Sequence, residues 1–200
     1  FGLDYAAVSA HNPGVVYCSI TGFGSSTAGA QLAGYDLLVQ AMSGLMSITG
    51  SPSGEPTKVG VALVDVMCGQ NAVAGILMAL RARDAHADGH GQLVEVDLMS
   101  TALAALVNQA GNALATGQAP SRMGNAHPSI SPYELFATAD RPIIIAVGSD
   151  RAFRSLCDAL DVHALADDER FVTNPQRVAH REQLTATIET VLESAGADHW

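Results

Sequence analysis

The chain has 200 residues, 48% of them apolar and 15% charged, with twenty acidic residues against ten basic ones for a net charge of −10. That length and apolar content suffice for one domain with a core, or one domain plus part of another, and they exclude disordered and fibrous classes. The acidic balance argues against nucleic-acid binding, which needs a positive surface facing the phosphates.

Residues 12–14 (Asn-Pro-Gly) form a turn, and the β-branched, apolar run that follows, residues 15–20, reads as a buried strand. A loop of small residues opens at Thr21-Gly22-Phe23-Gly24 and runs to about Ala30. Leu37, Leu38, Ala41, Leu45 and Met46 have helical spacing, which predicts a helix over residues 34–46. The Gly, Pro and Ser content of residues 50–55 makes them a loop. Residues 59–64 are an apolar approach to a helix that starts at Asp65 and runs to about Asp84. That helix is apolar on nearly every side and is expected to be buried on both sides.

A turn over residues 85–91 leads to residues 92–98, whose alternation is that of a strand, and then to an apolar helix over residues 100–115 capped by Ser100 or Thr101. Residues 117–131, rich in Gly, Pro, Ser and Asn, read as a linker. Strands at 133–138 and 143–147 and helices at about 151–160 and 181–194 then predict a second α/β unit. Without a break the longest apolar run, 59–80, would approach the roughly 18–20 residues of a membrane span, but Asp65 and Gln70 interrupt it. The beginning at Phe1 and the end at Trp200 are abrupt, as expected of a piece of a longer protein.

Asp65 is the most informative residue. An aspartate between an apolar segment and a helix can be an N-cap, accepting a backbone N–H of the first turn. It can equally be a buried carboxylate held ionised by the helix N-terminus and able to attack a thioester carbonyl. Tyr35 and Asp36 open the first apolar helix, where Asp36 can support the N-terminus and Tyr35 can pack at the core edge. Gly22-Phe23-Gly24-Ser25-Ser26-Thr27 matches only half of a dinucleotide fingerprint, and a generic tight loop is the simpler reading. The seven histidines are scattered and no Cys pair has metal-ligand spacing, so no metal site is expected. The serine of Gly50-Ser-Pro-Ser53-Gly54 is one place away from a nucleophile elbow, which removes a serine hydrolase. Cys18, Cys68 and Cys157 are far apart, odd in number and set among apolar residues. They point to a reduced, cytoplasmic setting rather than a disulfide framework.

Six segments in order resemble the family III CoA-transferases, the CaiB/BaiF kind. They are Gly34-Tyr35-Asp36 with Ser43-Gly44 and Thr49-Gly50; residues 58–69 leading into 74–80; residues 89–98; residues 124–133 with 136–140; residues 147–153; and residues 170–178. The resemblance implies an α/β fold: residues 1–118 as the C-terminal half of an open, Rossmann-like, CoA-binding large domain, 119–132 as a linker, and 133–200 as the start of a small domain. It implies transfer of CoA from an acyl-CoA to a carboxylic acid, with coenzyme A as cosubstrate, no metal, and an interlocked homodimer without nucleic acid or membrane.

By the same resemblance Asp65 is the nucleophile that forms an acyl anhydride and then an aspartyl-CoA thioester. Gly34, Tyr35 and Asp36 lie at the substrate, and Leu98 and Ala33 at the CoA. Residues 126–132, where oxalate-active members carry a mobile glycine-rich loop, are not glycine-rich here. Two alternatives stay open: a 2-methylacyl-CoA racemase, and a truncated domain without catalysis that binds a partner chain. In the racemase branch a His stands at the position of Tyr35, and tyrosine is a poor two-way proton shuttle at neutral pH.

Overall fold

A computed structural model of the chain describes residues 1–25 and 28–200; Ser26 and Thr27, the end of the half-matched glycine motif, lie outside the described residues. The chain divides into two compact units, Phe1–Arg122 and Met123–Trp200, each mixing helices and strands.

The first unit runs α1 (Tyr5–His11), β1 (Tyr17–Thr21), α2 (Asp36–Met42), α3 (Leu45–Ile48), α4 (Leu63–Ala85), β2 (Leu93–Asp97), α5 (Leu98–Ala105) and α6 (Val107–Thr116). β1 and β2 pair in parallel, with Tyr17 opposite Leu93 and Thr21 opposite Asp97. Parallel neighbours need a crossover, and α4 is the long helix within it. The helix lies close on the sheet at Gly75, where a Cβ would stand 2.7 Å from Val94 Cγ1.

The core of this unit joins Phe23, Val39, Val64, Cys68, Leu98 and Ala102. Three expectations from the sequence are corrected. Residues 34–46 form two helices, because Gly44 takes a left-handed φ of +89° between them. The stripe α2 buries is Val39 and Gln40, while Leu37 and Met42 face outward at 53% and 54% exposure. Apolar spacing alone therefore selected the wrong side; a buried polar network, described below, turns α2 the other way.

Likewise α4 is not buried on both sides. It buries a stripe through Val64, Cys68, Ala72 and Ala79 and leaves Val66, Val73, Leu77 and Met78 more than half exposed. By length and composition α4 is also apolar enough to cross a membrane. The helix after β2 starts at Leu98, capped by Asp97, whose side chain accepts from Ser100 N at 2.7 Å. It breaks at Val107, whose φ is +43°. Ser100 and Thr101 are thus inside the helix rather than at its cap.

The second unit pairs β3 (Tyr133–Phe136) antiparallel with β4 (Ile143–Ala146), followed by α7 (Asp150–Ala159), a 3-10 turn at His163–Ala166, α8 (Asn174–Ala179) and α9 (Arg181–Leu192). Its core includes Phe136, Phe153, Phe171, Leu184, Ile188 and Leu192. Arg177 is fully buried and donates to Ser131 O (2.7 Å), Phe171 O (2.9 Å) and Asp150 Oδ1 (2.8 Å), with its guanidinium 4.5 Å above the Phe153 ring. Residues 127–131, read as part of a linker, are held: Arg181 Nη2 donates to the carbonyls of His127 and Ile130, and Asn174 Nδ2 to that of Ser129.

Candidate functional site

The site assembles at the carboxyl end of the β1–β2 pair, the edge at which open α/β sheets bind ligands. Two backbone crossings build it. Gly22 follows β1, and a Cβ there would stand 2.5 Å from Gly34 Cα; a Cβ on Gly34 would stand 2.7 Å from Gly22 Cα. Only paired glycines allow that contact, and it fixes the loop carrying Ala33, Gly34 and Tyr35 against the strand end. Met99 N also donates to Gly22 O at 3.0 Å, which ties the start of α5 to the same point.

α4 begins at Leu63, two residues before the start expected from the sequence, so Asp65 stands in its first turn and not at its cap. The N-cap position is Ala62, which offers no side-chain acceptor. A helix start leaves four N–H groups without intrahelical partners. Here Leu63 N reaches Val61 O (2.8 Å), and the first intrahelical bond runs from Val66 N to Ala62 O (3.2 Å). Val64 N and Asp65 N both donate to Asp36 Oδ1, at 2.8 and 3.3 Å. The capping carboxylate thus comes from the start of α2, and the N–H groups of Leu63, Val64 and Asp65 are all taken without the Asp65 side chain.

That leaves the Asp65 carboxylate exposed and, among the described residues, without a hydrogen bond or ion pair. The sequence reading of a buried carboxylate is corrected on this point: the turn sits at the surface of the unit. Its setting is still electrostatically particular, because the positive end of a 23-residue helix lies beneath it. Cys68, one turn further along α4, is no rival nucleophile; burial pushes its thiol above the ordinary range and keeps it protonated.

The other residues singled out in the sequence fall as follows. Tyr35 is 69% exposed at the head of α2. Asp36 is half-buried and both its oxygens are engaged: Oδ2 accepts from Gln40 Nε2 at 2.5 Å. Ala33 is exposed on the loop held by Gly22. Leu98 is only 6% exposed, a core residue whose side chain lies beneath Gly34. An open cavity of about 470 Å³ lies at the same edge, lined by Phe23, Leu32, Met42, Asp97, Met99 and Ser100 among others. The described residues hold no group of three His, Cys, Asp or Glu placed to share a metal ion.

Sequence reasoning missed Gln40, which is fully buried and whose Oε1 accepts from Val59 N at 2.9 Å. The signal was present: Asp36 and Gln40 stand at i and i+4, a spacing that brings side chains together on a helix.

The whole chain, residues 1–200, matches CoA-transferase family III. The succinate–glutarate CoA-transferase of Agrobacterium fabrum is 49% identical over 95% of this chain and 47% of its own length. The acetyl-CoA:oxalate CoA-transferase of Acetobacter aceti is 40% identical over 100% of this chain and 51% of its own length. Among solved structures, a CaiB/BaiF family protein from Brucella suis superposes with a TM-score of 0.77 at 45% identity, over 99% of this chain and 52% of that one. Rv3272 from Mycobacterium tuberculosis superposes with a TM-score of 0.86 at 27% identity, over 100% of this chain and 52% of that one. The chain spans about half the length of the curated relatives it matches. A whole-length match of this kind, on a chain whose first unit presents an unpaired aspartate at the head of its crossover helix, makes the protein a member of CoA-transferase family III.

Proposed function

We propose that the protein moves coenzyme A from an acyl-CoA donor to a carboxylic acid, with Asp65 as the group that carries the acyl. The observation that carries this reading is the free Asp65 carboxylate. It is exposed, it has no partner among the described residues, and it projects from a first turn whose Leu63, Val64 and Asp65 N–H groups are already taken. A carboxylate spent on capping would have to break those bonds before attacking; this one does not.

The chemistry balances in four transfers. Asp65 attacks the donor thioester carbonyl, giving an aspartyl-acyl anhydride and releasing CoA thiolate. The thiolate attacks the aspartyl carbonyl, giving aspartyl-CoA thioester and releasing the donor acid. The acceptor carboxylate attacks that thioester, again expelling thiolate and forming a second anhydride. The thiolate then takes the acceptor acyl group and frees Asp65. Covalent catalysis of this kind divides one hard exchange into easier steps.

Gly34 and Tyr35, which precede the Asp36 that holds the Asp65 backbone, receive the substrate, with the exposed Tyr35 hydroxyl donating to a substrate oxygen. Ala33 and the backbone beside Leu98 line the approach of CoA. The first unit then corresponds to the C-terminal half of an open Rossmann-like domain, and the exposed apolar face of α4 to a surface covered by further protein in an interlocked homodimer. The free cysteines support a reducing, cytoplasmic setting. The named activities of the relatives, succinate–glutarate and acetyl-CoA:oxalate transfer, support a small carboxylic acid as acceptor.

The test is hydroxylamine trapping during turnover of the native-length protein, followed by mass spectrometry. A hydroxamate at Asp65, lost together with activity in Asp65→Asn, is the expected result. Undiminished transfer in Asp65→Asn overturns the proposal. So does deuterium uptake at the 2-position of an acyl-CoA without any transfer of CoA, which is the behaviour of a racemase.

A further inference from the structure

Resting on the reading of Asp65 as the acyl carrier, we propose that Asp36 and Gln40 form one positioning couple for Asp65 and that neither contacts the substrate. The bonds run in an unbroken chain. Val64 N and Asp65 N donate to Asp36 Oδ1, Gln40 Nε2 donates to Asp36 Oδ2 (2.5 Å), and Val59 N donates to Gln40 Oε1 (2.9 Å). The segment entering α4 is therefore pinned to α2 on both sides of its turn, at Val59 upstream and at Val64 and Asp65 downstream. The Val59 N–H fixes which end of the Gln40 amide is the oxygen, and so fixes the polarity of the whole chain.

Gln40 is fully buried. A buried amide is tolerated only where its groups are satisfied, and here it has one donor and one acceptor in use. Both Asp36 oxygens are taken, so Asp36 is poorly placed to recognise a substrate carboxylate, which it would also repel. What the pair does is hold the Asp65 backbone while leaving the Asp65 side chain free. A nucleophile misplaced by about 1 Å loses on the order of 100-fold in rate, so such a hold is worth building.

The polarity of the chain supplies the test. In Asp36→Asn one oxygen still accepts from Val64 and Asp65, but the new amide NH₂ faces the Gln40 NH₂. In Gln40→Glu two carboxylates are set side by side. In the double variant D36N/Q40E every donor meets an acceptor again: Asn to Glu, and Val59 N–H to Glu. The readouts are kcat and KM for CoA transfer by the native-length protein, and backbone amide exchange at Val64 and Asp65.

We expect each single variant to lose about 10- to 100-fold in kcat with KM within about threefold. Exchange at the two amides should be faster, and both kcat and protection should largely return in the double variant. If Asp36 instead binds substrate, the double variant stays as impaired as Asp36→Asn and KM rises, which overturns the proposal. Thermal melts separate a loss of folded protein from a loss of turnover. Should Gln40→Glu fail to fold, Gln40→Met removes the same two bonds without adding charge, and unchanged protection of Val64 and Asp65 in it also overturns the couple. Amide protection is read without turnover, so an Asp65→Asn variant that stays active would sink the acyl-carrier reading and leave this result distinguishable.

Discussion

One oxygen of Asp36 accepts the backbone N–H of Asp65, 29 residues further along the chain, and of its neighbour Val64, so the two aspartates divide one helix end between them. The first supplies the cap and the second keeps its carboxylate unspent. This division predicts opposite signatures for the two residues in stability and activity. Asp36→Ala removes an N-cap from a 23-residue helix and leaves the buried Gln40 amide short of a partner, at a cost of about 1–2 kcal/mol. Asp65→Ala removes only an exposed charge near a helix N-terminus and costs about 0.3–1 kcal/mol while abolishing transfer. Urea unfolding of the two variants, set beside their activities, checks this. Equal destabilisation by both would mean that Asp65 also caps.

Much of the fold was legible because it follows from local pattern. The alternation over residues 92–98 and the β-branched run at 15–20 gave the two strands within a residue or two of β2 and β1. The site was legible in part. Asp65 and Asp36 stood out as carboxylates at helix starts, but which of them caps which helix depends on a bond across 28 and 29 residues that no window of sequence contains. The facing of α2 failed for the same reason. Leu37 and Leu38 carry the apolar periodicity, yet Gln40 goes inside because Asp36 and Val59 satisfy its amide there. α8 was missed because it is only six residues long, too short for an apolar period to show, and the buried side chain that anchors it is an arginine.

The contact between Gly22 and Gly34 is backbone on backbone, so neither side can yield. Gly22→Ala or Gly34→Ala must push the loop bearing Tyr35 away from the end of β1. We expect a cost of about 1–3 kcal/mol, in the range for overpacking, and for Gly34→Ala a loss of transfer beyond the loss of folded protein. Chemical denaturation and activity per folded molecule check it. A Gly34→Ala variant of full stability and full activity would show that the loop has slack.

In the second unit, Arg177→Met keeps the apolar stem over Phe153 but strips donors from the carbonyls of Ser131 and Phe171. The expected cost is about 2–4 kcal/mol at neutral pH. Its pH dependence follows from Asp150. The hydrogen bond from Arg177 holds the Asp150 carboxyl below the usual carboxylate range, so the folded protein takes up that proton less readily than the unfolded chain. The associated stability is present above about pH 4 and is lost as the pH falls through the folded value. The gap between the native protein and Arg177→Met should therefore narrow between about pH 5 and pH 3. An acid limb from Asp168, held at about 2 chiefly by Arg170, should persist in both. Urea unfolding at pH 7, 5 and 3 measures the gap, and a gap independent of pH would remove Asp150 from the account.

Gly75 faces Val94 where α4 crosses β2, and an added Cβ would lie 2.7 Å from Val94 Cγ1. Two effects of opposite sign compete at this position. Alanine is favoured over glycine within a helix by about 1 kcal/mol, while forcing a methyl against a β-branched side chain with one preferred rotamer costs about 1–3 kcal/mol. The clash wins in the native background, so Gly75→Ala should destabilise by roughly 1 kcal/mol. Val94→Ala removes the obstructing methyl groups, and in that background Gly75→Ala should become neutral or stabilising. The double-mutant cycle should then give a coupling of about 1 kcal/mol or more, of the sign that marks relief of a clash. The measurement also bears on the site, because α4 carries Asp65 in its first turn and its depth against the sheet sets how far that residue projects. Additive effects in the cycle would mean that the helix shifts outward to absorb the methyl, and transfer activity should then fall in Gly75→Ala alone.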